Sequence, residues 1–148
     1  DQETPHPYGA WNLESMDSHG AWIASAGDLA KFAAAFDDPN NCPILSYESI
    51  ELMYRRPPGL AGHAEDGSKK DVFYSLGWSN RVLRGGRINH WHTGSLPGTA
   101  AILIRRHDRR NFVALLNCRV SPSANHLGRA IDSLLHKAAN QVTDWPTE

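Results

Sequence analysis

The chain has 148 residues, of which 41% are hydrophobic, 9% aromatic and 21% charged. That is the make-up of one globular domain, able to bury roughly 70% of the surface its unfolded form exposes. Its 15 Lys and Arg against 16 Asp and Glu leave a net charge of -1 with the eight His neutral, which argues against a nucleic-acid partner, since that would call for a basic excess.

No apolar stretch exceeds five residues, as in Ala100 to Ile104 and Phe112 to Leu116, far short of the ~20 that a membrane-spanning helix needs. The start, Asp1-Gln2-Glu3-Thr4-Pro5, has neither an initiator Met nor the basic and apolar regions of a signal peptide. Cys42 and Cys118 stand outside any C-x-x-C or zinc spacing, so two buried free thiols are expected rather than a disulfide or a metal site. The redox compartment stays open.

In chain order, residues Asp1 to Ser18 are polar and turn-rich, an irregular arm held by Tyr8, Trp11, Leu13 and Met16. Ser25-Ala26-Gly27-Asp28 has the capping-box pattern of a helix start, and Leu29, Phe32, Ala33 and Phe36 form one helical stripe that ends at Asp37-Asp38-Pro39. A shorter helix is expected from the cap Ser46 through Ile50 and Met53, until Arg56-Pro57-Pro58-Gly59 forbids it. Leu60 to Lys70 has no periodicity and reads as a mobile loop.

From Val72 the period becomes two. Tyr74, Leu76, Trp78 and Val82 alternate with Ser75, Gly77, Ser79 and Arg81 in what reads as one strand. Gly85-Gly86 is a hairpin turn, Ile88 to Thr93 the second strand, and Gly94 to Gly98 the next turn. Thr99 to Arg106 and Phe112 to Asn117 are nearly apolar on both faces and complete a four-stranded antiparallel meander. Pro122 and Ser123 announce a final helix with Leu127, Ala130, Ile131, Leu134, Leu135 and Ala138 on its core face. The fold class is therefore α+β: a four-stranded meander packed against a C-terminal amphipathic helix, with two helices before it. Residues 1–148 are expected to form a single partial domain, helical and irregular over 1–70, sheet and C-terminal helix over 71–140.

Chemistry concentrates in His90-Trp91-His92-Thr93-Gly94-Ser95-Leu96-Pro97-Gly98. His90 and His92 share a strand face, so H-x-H could offer two metal ligands with His107, His126 or Asp108 as a third. One packed and one solvated imidazole is the favoured reading, and no metal is expected. The G-x-S-x-G nucleophile elbow is missed by one position, because Thr stands at 93. A strand end with a titratable side chain, a hydroxyl and a glycine-opened backbone can instead receive an anionic or oxyanionic group.

His92-Thr93-Gly94-Ser95-Leu96-Pro97-Gly98, followed by Thr99 to Ile104, strongly resembles the third active-site motif of the serine β-lactamase and penicillin-binding-protein superfamily, and in particular the class C β-lactamase-like hydrolases. Three further segments resemble the family in the same order: Gly20 to Phe32, Tyr74-Ser75-Leu76-Gly77-Trp78, and Phe112 to Asn117 with the final helix. The resemblance implies that His92 replaces a Lys near the nucleophile and the substrate carboxylate. It further implies that Thr93 offers its hydroxyl to that carboxylate, that Gly94 keeps the strand flat beside the ligand, and that Ser95 gives its backbone N–H to the oxyanion hole. Asn117 and Arg119 are possible contacts at the substrate end of the next strand. No cofactor is implied.

The family's S-x-x-K nucleophile motif does not occur in the chain, Ser133 and Lys137 being one residue too far apart. Ser123-Ala124-Asn125 matches S-x-N only in letters and is expected to cap a helix. Relatives of this kind are about twice as long, so the chain reads as the C-terminal portion of a β-lactamase, D-alanyl-D-alanine carboxypeptidase or esterase, inactive alone. Its substrate would be a β-lactam, a peptide or an ester, and export is suspected from the resemblance. A second reading, from another class, is a non-catalytic binding or assembly module. In both, the strand Phe112 to Asn117 would pair with the missing N-terminal part, a second chain or a second copy in a homo-oligomer.

Overall fold

The computed structural model describes residues 3, 9, 12, 14–20, 22–122 and 127–145. Tyr8, Trp11 and Leu13 of the expected N-terminal arm, and the expected cap Ser123-Ala124-Asn125, lie outside the described residues. Met16 of that arm is buried in a short 3-10 turn, Glu14–His19. Among the described residues the protein is α+β, with three α-helices and a five-stranded antiparallel sheet whose strands lie in sequence order. The strands are β1 (Val72–Tyr74), β2 (Ser79–Val82), β3 (Ile88–Leu96), β4 (Thr99–Arg105) and β5 (Asn111–Leu116). The chain forms two compact units, Ala26–His92 with Leu103–Val113, and Asp1–Ser25 with Thr93–Ile102 and Ala114–Glu148.

In the first unit, α1 (Ala26–Ala34) turns Ala33 inward, and Phe36 is buried just beyond it. Phe32, on the same stripe, lies largely exposed with its ring edge-on to Phe36. The chain leaves the helix through tightened turns, Phe36 N–H to Ala33 O and Asp37 N–H to Ala34 O, before Pro39 forbids more. α2 (Tyr47–Tyr54) starts where Ser46 Oγ accepts from the Ser49 N–H, as the sequence predicts, and buries Ile50.

Residues 60–70, expected to be a loop without order, carry their own hydrogen bonds. His63 and Lys69 form a β-bridge, Lys70 Nζ donates to Leu60 O at 2.6 Å, and the Arg56 guanidinium donates to both Gly62 O and Lys70 O at 2.7 Å. Those bonds join residues up to 14 positions apart, so no local period reports them. Arg56 also lies 4.0 Å over the Phe73 ring.

The single strand expected over Val72 to Val82 is a hairpin. β1 and β2 pair Val72 with Arg81, Phe73 with Asn80 and Tyr74 with Ser79. Gly77 takes φ 80° in the turn between them, a left-handed backbone that glycine adopts without steric cost. Among the described residues the sheet therefore has five strands, not four. Gly85 and Gly86, at φ 76° and 75°, make the next turn as expected, and β3 then pairs antiparallel with β2 through Val82–Ile88 and Asn80–His90.

Buried Arg105 at the end of β4 ties the unit together. Its Nε donates to Ala33 O at 2.9 Å, one Nη to the Tyr54 hydroxyl at 2.5 Å, and the other to Asp37 Oδ1 at 3.0 Å. The second oxygen of Asp37 accepts from Asn111 Nδ2 at 2.8 Å. A buried cation with three acceptors is satisfied, which is the condition for its burial.

In the second unit, Ala100 and Ile102 of β4 are buried and Ala101 between them is half-buried. α3 (Leu127–Gln141) begins with the Leu127 N–H on Arg119 O. Its buried side differs from the apolar stripe in the sequence. Gly128 and Ala139 are buried, and Asp132 and His136 are largely covered, paired at 3.5 Å, whereas Leu134 is 60% exposed and Ala130 and Ala138 are exposed. Ile131 and Leu135 belong to both stripes, so the helix is turned by about one position from the orientation its hydrophobicity predicts.

Candidate functional site

β3 carries the motif, and its exposure changes abruptly along its length. Asn89 is buried and His90 and Trp91 half-buried, while His92, Thr93, Gly94 and Ser95 are all exposed. The strand runs on to Leu96, and only Pro97-Gly98, with Gly98 at φ 84°, turns the chain. The turn expected over Gly94 to Gly98 is thus two residues long, and Gly94 and Ser95 belong to the strand. His92 belongs to one compact unit and Thr93 to Ser95 belong to the other.

His92 Nε2 lies 3.0 Å from the Tyr74 hydroxyl of β1, with the ring centroids 6.0 Å apart. A Cβ on Gly94 would come within 3.3 Å of the Ala101 Cβ, a close approach that accounts for glycine there. Asn117 and Arg119 follow β5 and are exposed. Thr99 Oγ1 donates to Leu116 O at 3.1 Å, which sets Asn117 at the sheet end where β4 begins.

His90 has a different environment from His92. Its ring stacks on Tyr54 at 3.8 Å, and Nδ1 lies 2.7 Å from Asn80 Oδ1. Asn80 is fully buried, and its amide nitrogen faces Trp78 O at 3.0 Å and Ser75 Oγ at 2.9 Å. A carbonyl can only accept, so the amide nitrogen donates there, the amide oxygen faces His90, and His90 Nδ1 carries the proton. Burial first, and the charge of Arg105 second, push the His90 pKa down to about 4. His90 is a neutral, half-buried ring held by Tyr54 and Asn80.

The other ligands considered for H-x-H are also engaged. His107 places both its backbone N–H and Nδ1 3.0 Å from Asn89 Oδ1, with Nε2 3.2 Å from an Arg87 Nη. Asp108 is clamped by Arg106 at 2.8 Å and Arg110 at 3.0 Å. Partial burial raises its carboxyl, but the Arg106 hydrogen bond and charge, then Arg110, outweigh it and hold the group below the usual carboxylate range. His126 lies outside the described residues, and among the described residues no three His, Cys, Asp or Glu come together as metal ligands. Cys42 and Cys118 are free, as expected, but half-buried and exposed rather than buried. Among the described residues no helix is long and apolar enough to cross a membrane.

Two clefts, of about 480 and 220 Å³, both have Ile50, Tyr54, Ile88 and His90 among their walls, and neither includes a residue from 92 to 95. Residues 92 to 95 are exposed. Sequence reasoning missed Tyr74 as the partner of His92, although Tyr74 stands in the segment that carries the resemblance; its signal, a phenol one short turn from the paired strand, becomes visible only once β1 and β2 are two strands. No family model matches this chain, and none of the curated proteins matches it.

Proposed function

We propose that this chain is the substrate-binding C-terminal portion of a serine hydrolase of the β-lactamase and penicillin-binding-protein type. The observation that carries the reading is the switch on β3 from half-buried His90 and Trp91 to exposed His92, Thr93, Gly94 and Ser95. Four consecutive strand residues bearing an imidazole, a hydroxyl and a glycine-opened backbone suit a carboxylate and an oxyanion. On this reading His92 and Thr93 receive the substrate's anionic group, and Ser95 offers its backbone N–H to the oxygen of the carbonyl under attack. The nucleophilic Ser and its base come from outside this sequence.

The reading frame upstream of Asp1 tests the proposal: S-x-x-K followed by Y-x-N or S-x-N supports it, and the absence of both overturns it. The purified chain is expected to show neither turnover of a chromogenic β-lactam or p-nitrophenyl ester nor labelling by a fluorophosphonate. Stoichiometric labelling would contradict the assignment of the nucleophile elsewhere.

One observation favours the second reading, an assembly module. Among the described residues β5 ends the sheet order, and Leu115 on it is 43% exposed. An apolar edge strand invites another strand. Light scattering at high concentration that finds a strict monomer would exclude a self-associating module.

A further inference from the structure

Tyr74 and His92 are joined in a way that a substrate-binding His does not by itself require. The phenol oxygen lies 3.0 Å from Nε2, and the rings are tilted 57° with centroids 6.0 Å apart. The contact is therefore a hydrogen bond between ring edges and not a stack. Tyr74 pairs with Ser79, which in turn pairs with Trp91, the neighbour of His92.

We propose that Tyr74 is a positioning residue that fixes His92 with Nδ1 as its outward hydrogen-bond donor, so that the strand can receive an anionic substrate group in either protonation state of the imidazole. The inference rests on the reading of residues 92–95 given above. A phenol O–H donates well and accepts poorly, because its oxygen lone pair is conjugated into the ring, whereas the unprotonated nitrogen of a neutral imidazole accepts strongly. In neutral His92 the phenol proton therefore points at Nε2, and the ring proton sits on Nδ1. In the imidazolium, Nε2–H turns its proton toward the phenol oxygen and Nδ1–H is unchanged. No heavy atom need move between the two states; only the phenol proton rotates away from Nε2.

The difference from a His without such a partner is chemical. A neutral imidazole exchanges between two tautomers, and the one protonated at Nε2 would turn a lone pair from Nδ1 toward an anion and repel it. A Lys always donates. Tyr74 gives His92 the same constancy without a permanent charge, which suits a carboxylate or acyl oxyanion and disfavours a ligand that must itself donate at this point.

The test is the long-range nitrogen–proton NMR spectrum of the imidazoles, recorded well above the pH at which a free imidazole titrates. His92→Gln assigns the signal by its loss. The wild-type chain is expected to show His92 protonated at Nδ1, and Tyr74→Phe to shift it toward the Nε2–H tautomer with the backbone amide spectrum otherwise retained. A wild-type His92 protonated at Nε2, or a tautomer unchanged in Tyr74→Phe, overturns the proposal. The measurement needs no substrate. A failed hydrolase reading is seen in the upstream reading frame, and a failed tautomer is seen here.

Discussion

His90 and His92 stand two residues apart on one strand, and their surroundings make them different reagents. His90 is stacked on Tyr54, bonded to Asn80 and covered, with its pKa near 4. His92 is exposed and has Tyr74 at one nitrogen. Burial removes the proton from His90 as a working part. An H-x-H pair read as chemistry must therefore be read twice, once for spacing and once for what covers each ring.

The sharpest way to break the contrast is to remove the support under the buried ring. Arg105→Ala takes away the cation that Ala33 O, Tyr54 and Asp37 share. It is expected to cost about 3–5 kcal/mol, as does breaking a buried ion pair from one side, measured by urea unfolding.

Next in size is a pH effect. Unfolded His titrates near ~6.5, and folded His90 near about 4, so below ~6.5 the unfolded chain takes up a proton that the folded chain refuses. The stability from a neutral His90 is fully present above ~6.5 and is lost as pH falls toward 4, by up to about 3 kcal/mol from the separation of the two values. The expected result is a slope in unfolding free energy across that window that disappears in His90→Gln. An unchanged slope would mean that His90 is not the group responsible. His92→Gln gives the smallest effect. At an exposed position the stability change is expected to stay within about 0.5 kcal/mol, which the same unfolding experiment checks; a larger loss would make His92 part of the framework.

Local signals in the sequence were enough where one residue decides. Ser46 starts α2 because its hydroxyl satisfies the Ser49 N–H, and Gly85-Gly86 turns the chain because both residues take positive φ. They were not enough in the segment 72–82, where Leu76 and Trp78 continue the alternation through a turn that Gly77 makes. They also failed at Gly94 and Ser95, which read as turn residues but extend β3. A glycine can mark a turn or a close approach, and only the presence of Ala101 beside Gly94 tells which.

What the sequence determined by itself is the class of the fold and the order of its elements, since helical and strand periods and their caps act over a few residues. It also singled out residues 92–95 as a concentration of unusual side chains. Tertiary structure alone decided which imidazole is buried, which phenol meets the other, and which side of α3 faces inward. Those outcomes depend on partners far apart in the chain, such as Arg105 with Ala33 or Tyr74 with His92. A covered Asp132–His136 pair on α3 shows why hydrophobicity alone did not predict its orientation: a polar pair that satisfies itself can occupy a place that the pattern assigns to apolar residues.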